Sequence, residues 1–138
     1  MDIVALREQL KQHEGVRLKP YKCTSGRTTI GCGRNLDDKG LTMEEVNYLL
    51  ENDIKECIND AEVVIGSQVW EGLSEARKRV LVDMRFNLGA GGIRTFKNTL
   101  QAIREGRYGD ASKGMLSSKW AGQVGRRATT LARMMSEG

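Results

Sequence analysis

The chain has 138 residues, 39% hydrophobic and 29% charged, with a formal net charge of +4; this describes a soluble globular protein of one-domain size that can build its own core. No apolar run approaches the about 18 residues of a membrane helix. Three cysteines, Cys23, Cys32 and Cys57, and a single histidine argue against a disulfide framework and a Cys/His zinc site, so no metal or other cofactor is expected.

Residues 2–13 predict a short amphipathic helix, with Asp2 as N-cap and Ile3, Leu6 and Leu10 at helical spacing. Gly15 is its natural breaker, which leaves Glu14 at the helix end. The early acid and the charges throughout do not resemble a signal peptide, so synthesis and retention in a cytoplasm are expected. Residues 17–31 read as extended, with Pro20 where it breaks no helix. "SG" at 25–26 suits a two-residue hairpin turn, and "RTTI" after it has strand character. That turn sets Cys23 opposite Thr28, with Thr29 one step along.

From "GLTMEEV" the pattern becomes helical. Thr42 and Glu45 form a capping box, and Val46, Leu49, Leu50, Ile54 and Ile58 carry the helix to about residue 64. Ser74 is the next N-cap, and the helix after it carries Val80, Leu81, Met84 and Leu88 and ends at "GAGG". Three further helices read as about 96–105, 109–116 and 125–136. The fold class is therefore α+β. A small N-terminal β lobe (about 15–41) is joined by the helix at about 42–64 to a larger helical lobe (about 65–138, plus the helix at 2–13). Together they make one domain with a substrate cleft.

Charge divides unevenly. Residues 1–69 hold 9 basic and 12 acidic side chains, and residues 70–138 hold 13 and 6. The second half suits an anionic partner, whether nucleic acid, membrane surface or wall polymer, although a solvated basic face is commoner.

The chemistry concentrates near the N-terminus. A helix C-terminus disfavours an ionised carboxylate, which suits Glu14 to a general acid. Cys23 and Thr29, on the two hairpin arms, can approach one water. Each also fits an ordinary role: a solvated Glu, a small buried thiol and a strand threonine.

The order Glu14, eight residues, Cys23, five residues, Thr29 lies within "EG-x-RLK-x-Y" and "TIG-x-G". It resembles the catalytic signature of T-even-type phage lysozymes, in the variant with Cys for Asp. "RFNLGAGGIRTFKNTL" (85–100) resembles the family's central helix and following turn, and "SSKWAGQVGRRA" (117–128) its Trp-x-x-Gln…Arg-Ala segment. The likeness covers nearly the whole chain, which is shorter near residues 35–45. It implies a lysozyme-like fold and hydrolysis of the β-1,4 bond between N-acetylmuramic acid and N-acetylglucosamine in peptidoglycan. Glu14 is then the general acid, and Thr29 helps to hold the water. Cys23 is a thiolate base, a nucleophile or a water anchor, and inversion and retention both stay open. An ordinary thiol, with a pKa near ~8.5, needs a nearby positive charge to become a thiolate at neutral pH.

The resemblance further implies that Arg127 orients the catalytic acid. It makes Asn87 and Trp120 the counterpart of a Gln–Trp pair, and Phe86 and Thr99 sugar contacts. Arg34 stands where the family has a histidine in a structural ion pair. The implied partner is peptidoglycan, without nucleic acid or stable membrane insertion. The implied setting is a monomeric phage endolysin, made in the host cytoplasm and reaching the periplasm through a separate holin-type pore to lyse the cell. The alternative is a non-catalytic basic module for wall polymer, membrane or nucleic acid.

Overall fold

A computed structural model describes the whole chain, Met1–Gly138. Its elements run α1 (Ile3–Glu14), β1 (Arg17–Lys22), β2 (Thr28–Gly31), β3 (Arg34–Asn35), α2 (Met43–Ile65), α3 (Ser67–Gly72), α4 (Glu75–Arg94), α5 (Lys97–Arg104), α6 (Tyr108–Leu116), α7 (Lys119–Val124) and α8 (Arg126–Glu137). The protein is α+β, mostly helical with one small antiparallel sheet. Two compact units, Met1–Leu49 and Leu50–Gly138, divide within α2. The first contains α1 as well as the sheet.

In the first unit, local chemistry sets the helix ends. Asp2 Oδ1 accepts from the Ala5 N–H at 3.0 Å and starts α1. The Gly15 N–H returns to the Lys11 carbonyl at 2.9 Å and stops it. The capping box of α2 is reciprocal: the Glu45 N–H donates to Thr42 Oγ1 at 3.1 Å, and the Thr42 N–H to Glu45 Oε1 at 2.9 Å. The strands follow sequence order, β1-β2-β3, and β3 extends the sheet past the expected hairpin.

The hairpin register differs from expectation. Tyr21 pairs with Thr29 and Lys22 with Thr28. The Cys23 N–H donates to the Arg27 carbonyl at 3.0 Å, and the Gly26 N–H to the Cys23 carbonyl at 2.9 Å. The loop therefore has three residues, 24–26, and Cys23 stands opposite Arg27 rather than Thr28. Gly26, at φ +80°, supplies the left-handed residue that lets a tight turn feed a bulge. Because side chains alternate, the one-residue change moves Cys23 to the other face. It now shares a face with Tyr21 and Thr29.

The second unit is built on a buried core that includes Val80, Leu81, Met84, Ile93, Ile103, Met115 and Met135. Each such side chain contributes about 1.5–3 kcal/mol of transfer free energy. The expected helix end at "GAGG" is a break within α4: Gly89 sits at φ +81°, and helix resumes to Arg94. The six-residue helices α3 and α7 were not anticipated, being too short to display a period. Ser74 caps α4, accepting from the Arg77 N–H at 3.2 Å. Buried Ser112 on α6 donates to the Ala132 carbonyl of α8 at 2.8 Å. Arg77 Nε donates to the Met135 carbonyl at 2.8 Å, and its guanidinium lies 3.5 Å from the Tyr108 ring centre. This cation satisfies the end of α8 and stacks on α6 at once. No helix is long and apolar enough to cross a membrane.

Candidate active site

Glu14 is the last residue of α1, and its side chain is exposed. Its carboxyl lies beside the β2–β3 turn: a Cβ added to Gly33 would stand 3.8 Å from Glu14 Oε2. Glu14 and Gly33 line a depression of about 500 Å³ with Leu6, Leu10, Lys11 and Cys32. A rigid helix end thus presents a carboxyl group to an open surface.

Thr29, in β2, is 4% exposed. Its hydroxyl donates to the Arg27 carbonyl at 2.9 Å. With the proton so committed, the oxygen faces further partners as an acceptor. Cys23 is half-buried, and its Sγ lies 3.1 Å from Ser25 Oγ. The thiol pKa is lowered to about 7. The Ser25 hydroxyl is the leading cause, followed by the backbone N–H groups of Arg27 and Ser25 and, least, by the Thr29 hydroxyl; burial opposes them. The cationic neighbour expected from the sequence has no part in this shift. Neutral donors produced by the turn lower the pKa instead. No group of three His, Cys, Asp or Glu side chains is arranged to hold a metal ion.

The second unit carries the other residues singled out in the sequence. Trp120 is buried, and its Nε1–H donates to Asn87 Oδ1 at 2.7 Å. The Phe96 ring meets it edge-on, with centres 5.9 Å apart. Thr99 and Trp120 line a depression of about 410 Å³ with Phe96, Lys97, Gly114 and Lys119. Phe86 does not join this group. It is exposed and lines a different, apolar depression of about 510 Å³ with Trp70, Val82, Asp83 and Arg127. Arg127 pairs with Asp83, both Nε and Nη2 standing 2.8 Å from Oδ1. No sequence signal links Asp83 to Arg127, 44 residues away. The sequence marks Ser25 only as a turn residue, and its approach to the thiol follows from the three-residue loop.

The sequence model of the phage lysozyme family matches residues 11–135. The chain belongs to the phage lysozyme family. It is 27% identical to probable T4-type lysozyme 1 of Dictyostelium discoideum, covering 99% of this chain and 96% of that one. It is 28% identical to an endolysin of Acyrthosiphon pisum secondary endosymbiont phage 1, over 81% of this chain and 74% of the relative. It is also 27% identical to the pre-baseplate central spike protein Gp5 of Enterobacteria phage T4, where 98% of this chain matches 28% of the spike protein. The protein is accordingly a lysozyme, a glycoside hydrolase with peptidoglycan as substrate.

Two charge features of this phage lysozyme were only partly legible. Arg34 grips Glu45 in a fork, Nη1 to Oε1 and Nη2 to Oε2, each at 2.8 Å, and Nη1 also donates to the Gly40 carbonyl at 3.1 Å. Glu45 thereby joins sheet to helix as well as capping α2. Arg34, followed by the Thr42 N–H, holds the Glu45 carboxyl down at about 2. Several cations of residues 70–138 are engaged within the fold. Arg85 pairs with Asp60 at 2.7 Å, Arg107 with Glu105 at 2.7 Å, and Arg104 Nη2 donates to the Val64 carbonyl at 2.7 Å. Arg77 and Arg127 are engaged too, which fixes the guanidinium groups in place without cancelling the net charge of that half.

Proposed function

We propose that this lysozyme cleaves the β-1,4 bond between N-acetylmuramic acid and N-acetylglucosamine, with Glu14 as general acid. Protonation of the glycosidic oxygen by Glu14 lets the leaving sugar depart as an alcohol, and water meets the oxocarbenium-like centre left behind. Cys23 and Thr29 hold that water. One water O–H donates to Thr29 Oγ1, whose own proton is spent on Arg27. The other faces the Cys23 thiolate, which takes the proton as the water attacks. The observation that supports this most is the placement of Cys23 and Thr29 on one hairpin face, with a thiol titrating near neutrality. In the second unit we assign sugar contacts to Phe86 and to the Thr99–Trp120 depression with its Asn87 bond.

The biological setting proposed is host lysis: the enzyme is made in the host cytoplasm and reaches the wall through a separate membrane pore. An endolysin relative supports that reading. Turbidity of chloroform-treated Gram-negative cells tests the assignment, with Glu14→Gln expected to lose about 10²–10⁴ in rate. Equal lysis by the two proteins would remove Glu14 from the mechanism. Product analysis should find new reducing ends on N-acetylmuramic acid; reducing ends on N-acetylglucosamine would overturn the bond assignment. Expression without membrane permeabilisation should leave cells intact, and lysis under those conditions would refute the need for a pore.

A further inference from the structure

Ser25 lies outside the Glu–Cys–Thr signature, and turn geometry alone does not require a serine there. The three-residue loop folds it back over β1, so that its Oγ stands 3.1 Å from Cys23 Sγ. Two hydroxyls neighbour the sulfur, and they are not equivalent. The Thr29 proton is committed to the Arg27 carbonyl. The Ser25 hydroxyl has Cys23 as its side-chain partner. A hydroxyl also rotates between donor and acceptor. It can accept from a neutral S–H and donate to a sulfur anion without moving either heavy atom. We propose that Ser25 is a positioning residue for Cys23, its hydroxyl holding the sulfur on the face shared with Thr29 in both protonation states.

The charged groups around the loop leave this role to a neutral donor. Lys22 Nζ is bonded to Thr28 Oγ1 at 2.7 Å. Arg27 pairs with Asp38 at 3.6 Å. Asp37 accepts from the Thr28 N–H at 2.8 Å. Glu14 ends α1 with its carboxyl beside Gly33, and Tyr21 shares the Cys23 face while its ring carries the Arg17 guanidinium, 4.7 Å from its centre. None of these charges contributes to lowering the thiol; the Ser25 hydroxyl leads, the turn's own N–H groups follow, and the Thr29 hydroxyl adds least. A thiolate held in this way responds weakly to salt, unlike one facing a free cation.

The inference rests on the proposed role of Cys23, so its test is read on the thiol itself. The rate of iodoacetamide alkylation is followed against pH in a Cys32→Ser background, where buried Cys57 stays protected. The midpoint should lie near 7 and change little between low and high salt. Ser25→Ala should raise it by about one pH unit, the effect of losing one charge-assisted hydrogen bond. It should also raise the high-pH plateau about threefold, because a more basic thiolate is the better nucleophile. Ser25→Thr should restore the original profile. An unchanged midpoint in Ser25→Ala overturns the proposal, as does a midpoint that rises steeply with salt in the parent. Lysis by Cys23→Ser reports separately on the catalytic role of the thiol: full activity would remove that role while leaving the Ser25 contact to be judged by the alkylation profile, so one can fail without the other.

Discussion

Gly114, on α6, allows a quantitative check on how the Thr99 depression is built. A Cβ placed on Gly114 would stand 2.6 Å from Thr99 Oγ1, 3.8 Å from Thr99 Cβ and 4.0 Å from Thr99 Cα. Only the first of these is a clash. Thr99 is 5% exposed and has little room to turn. Gly114→Ala should therefore cost about 1–3 kcal/mol in forced repacking. Against this, alanine in a helix interior gains about 0.5–1 kcal/mol over glycine. The net change runs from almost nothing to a loss of about 2.5 kcal/mol. For a chain of this length each kcal/mol lowers the melting temperature by about 3–4 °C. Thr99→Ala removes the single atom that the new methyl group meets. In that background Gly114→Ala should turn stabilising by about 0.5–1 kcal/mol. Urea unfolding of the two single variants, the double variant and the parent gives the coupling directly, expected at about 1–3 kcal/mol. Additivity within about 0.3–0.5 kcal/mol would refute the contact, and so would a Gly114→Ala protein more stable than the parent.

Three further outcomes follow from the geometry. Glu45 titrates at about 2 in the folded chain, below its ordinary value. The stability it confers is thus full above pH about 4.5 and lost as pH falls towards 2. Parent and Glu45→Gln melting curves should converge at the acid end of that range, and a constant separation down to pH 2 would contradict the ion pair. Asn87→Leu leaves the buried Trp120 N–H without its acceptor, at a cost of about 1–3 kcal/mol; an unchanged urea midpoint would show that the bond is not made. Gly26→Ala meets no atom within 4 Å, so its cost is backbone alone, about 1–2 kcal/mol for a left-handed residue. Hydrogen exchange of the Cys23 amide should accelerate with it, and unaltered exchange would contradict the three-residue loop.

Much of this protein is written locally in its sequence. Asp2, Thr42 with Glu45, and Ser74 mark helix starts because each bond closes over three residues, a separation that needs no tertiary structure. Gly15 ends α1 for the same reason. The family signature was legible because its three residues lie within sixteen positions, framed by glycines and strand formers. What escaped was set by competition or by distance. "SG" suits a two-residue turn, but the ladder closes one step earlier, between Cys23 and Arg27, and Gly26 becomes the bulge residue. That single step decides whether the thiol shares a face with Thr29, and strand pairing rather than propensity settles it. The partners of Arg127, Trp120 and Arg77 lie 44, 33 and 58 residues away. Many carboxylates, amides and carbonyls in the chain can accept from a guanidinium or an indole. Only the packing of α4 against α8, and of α7 beside α4, brings one of them within about 3 Å of each donor.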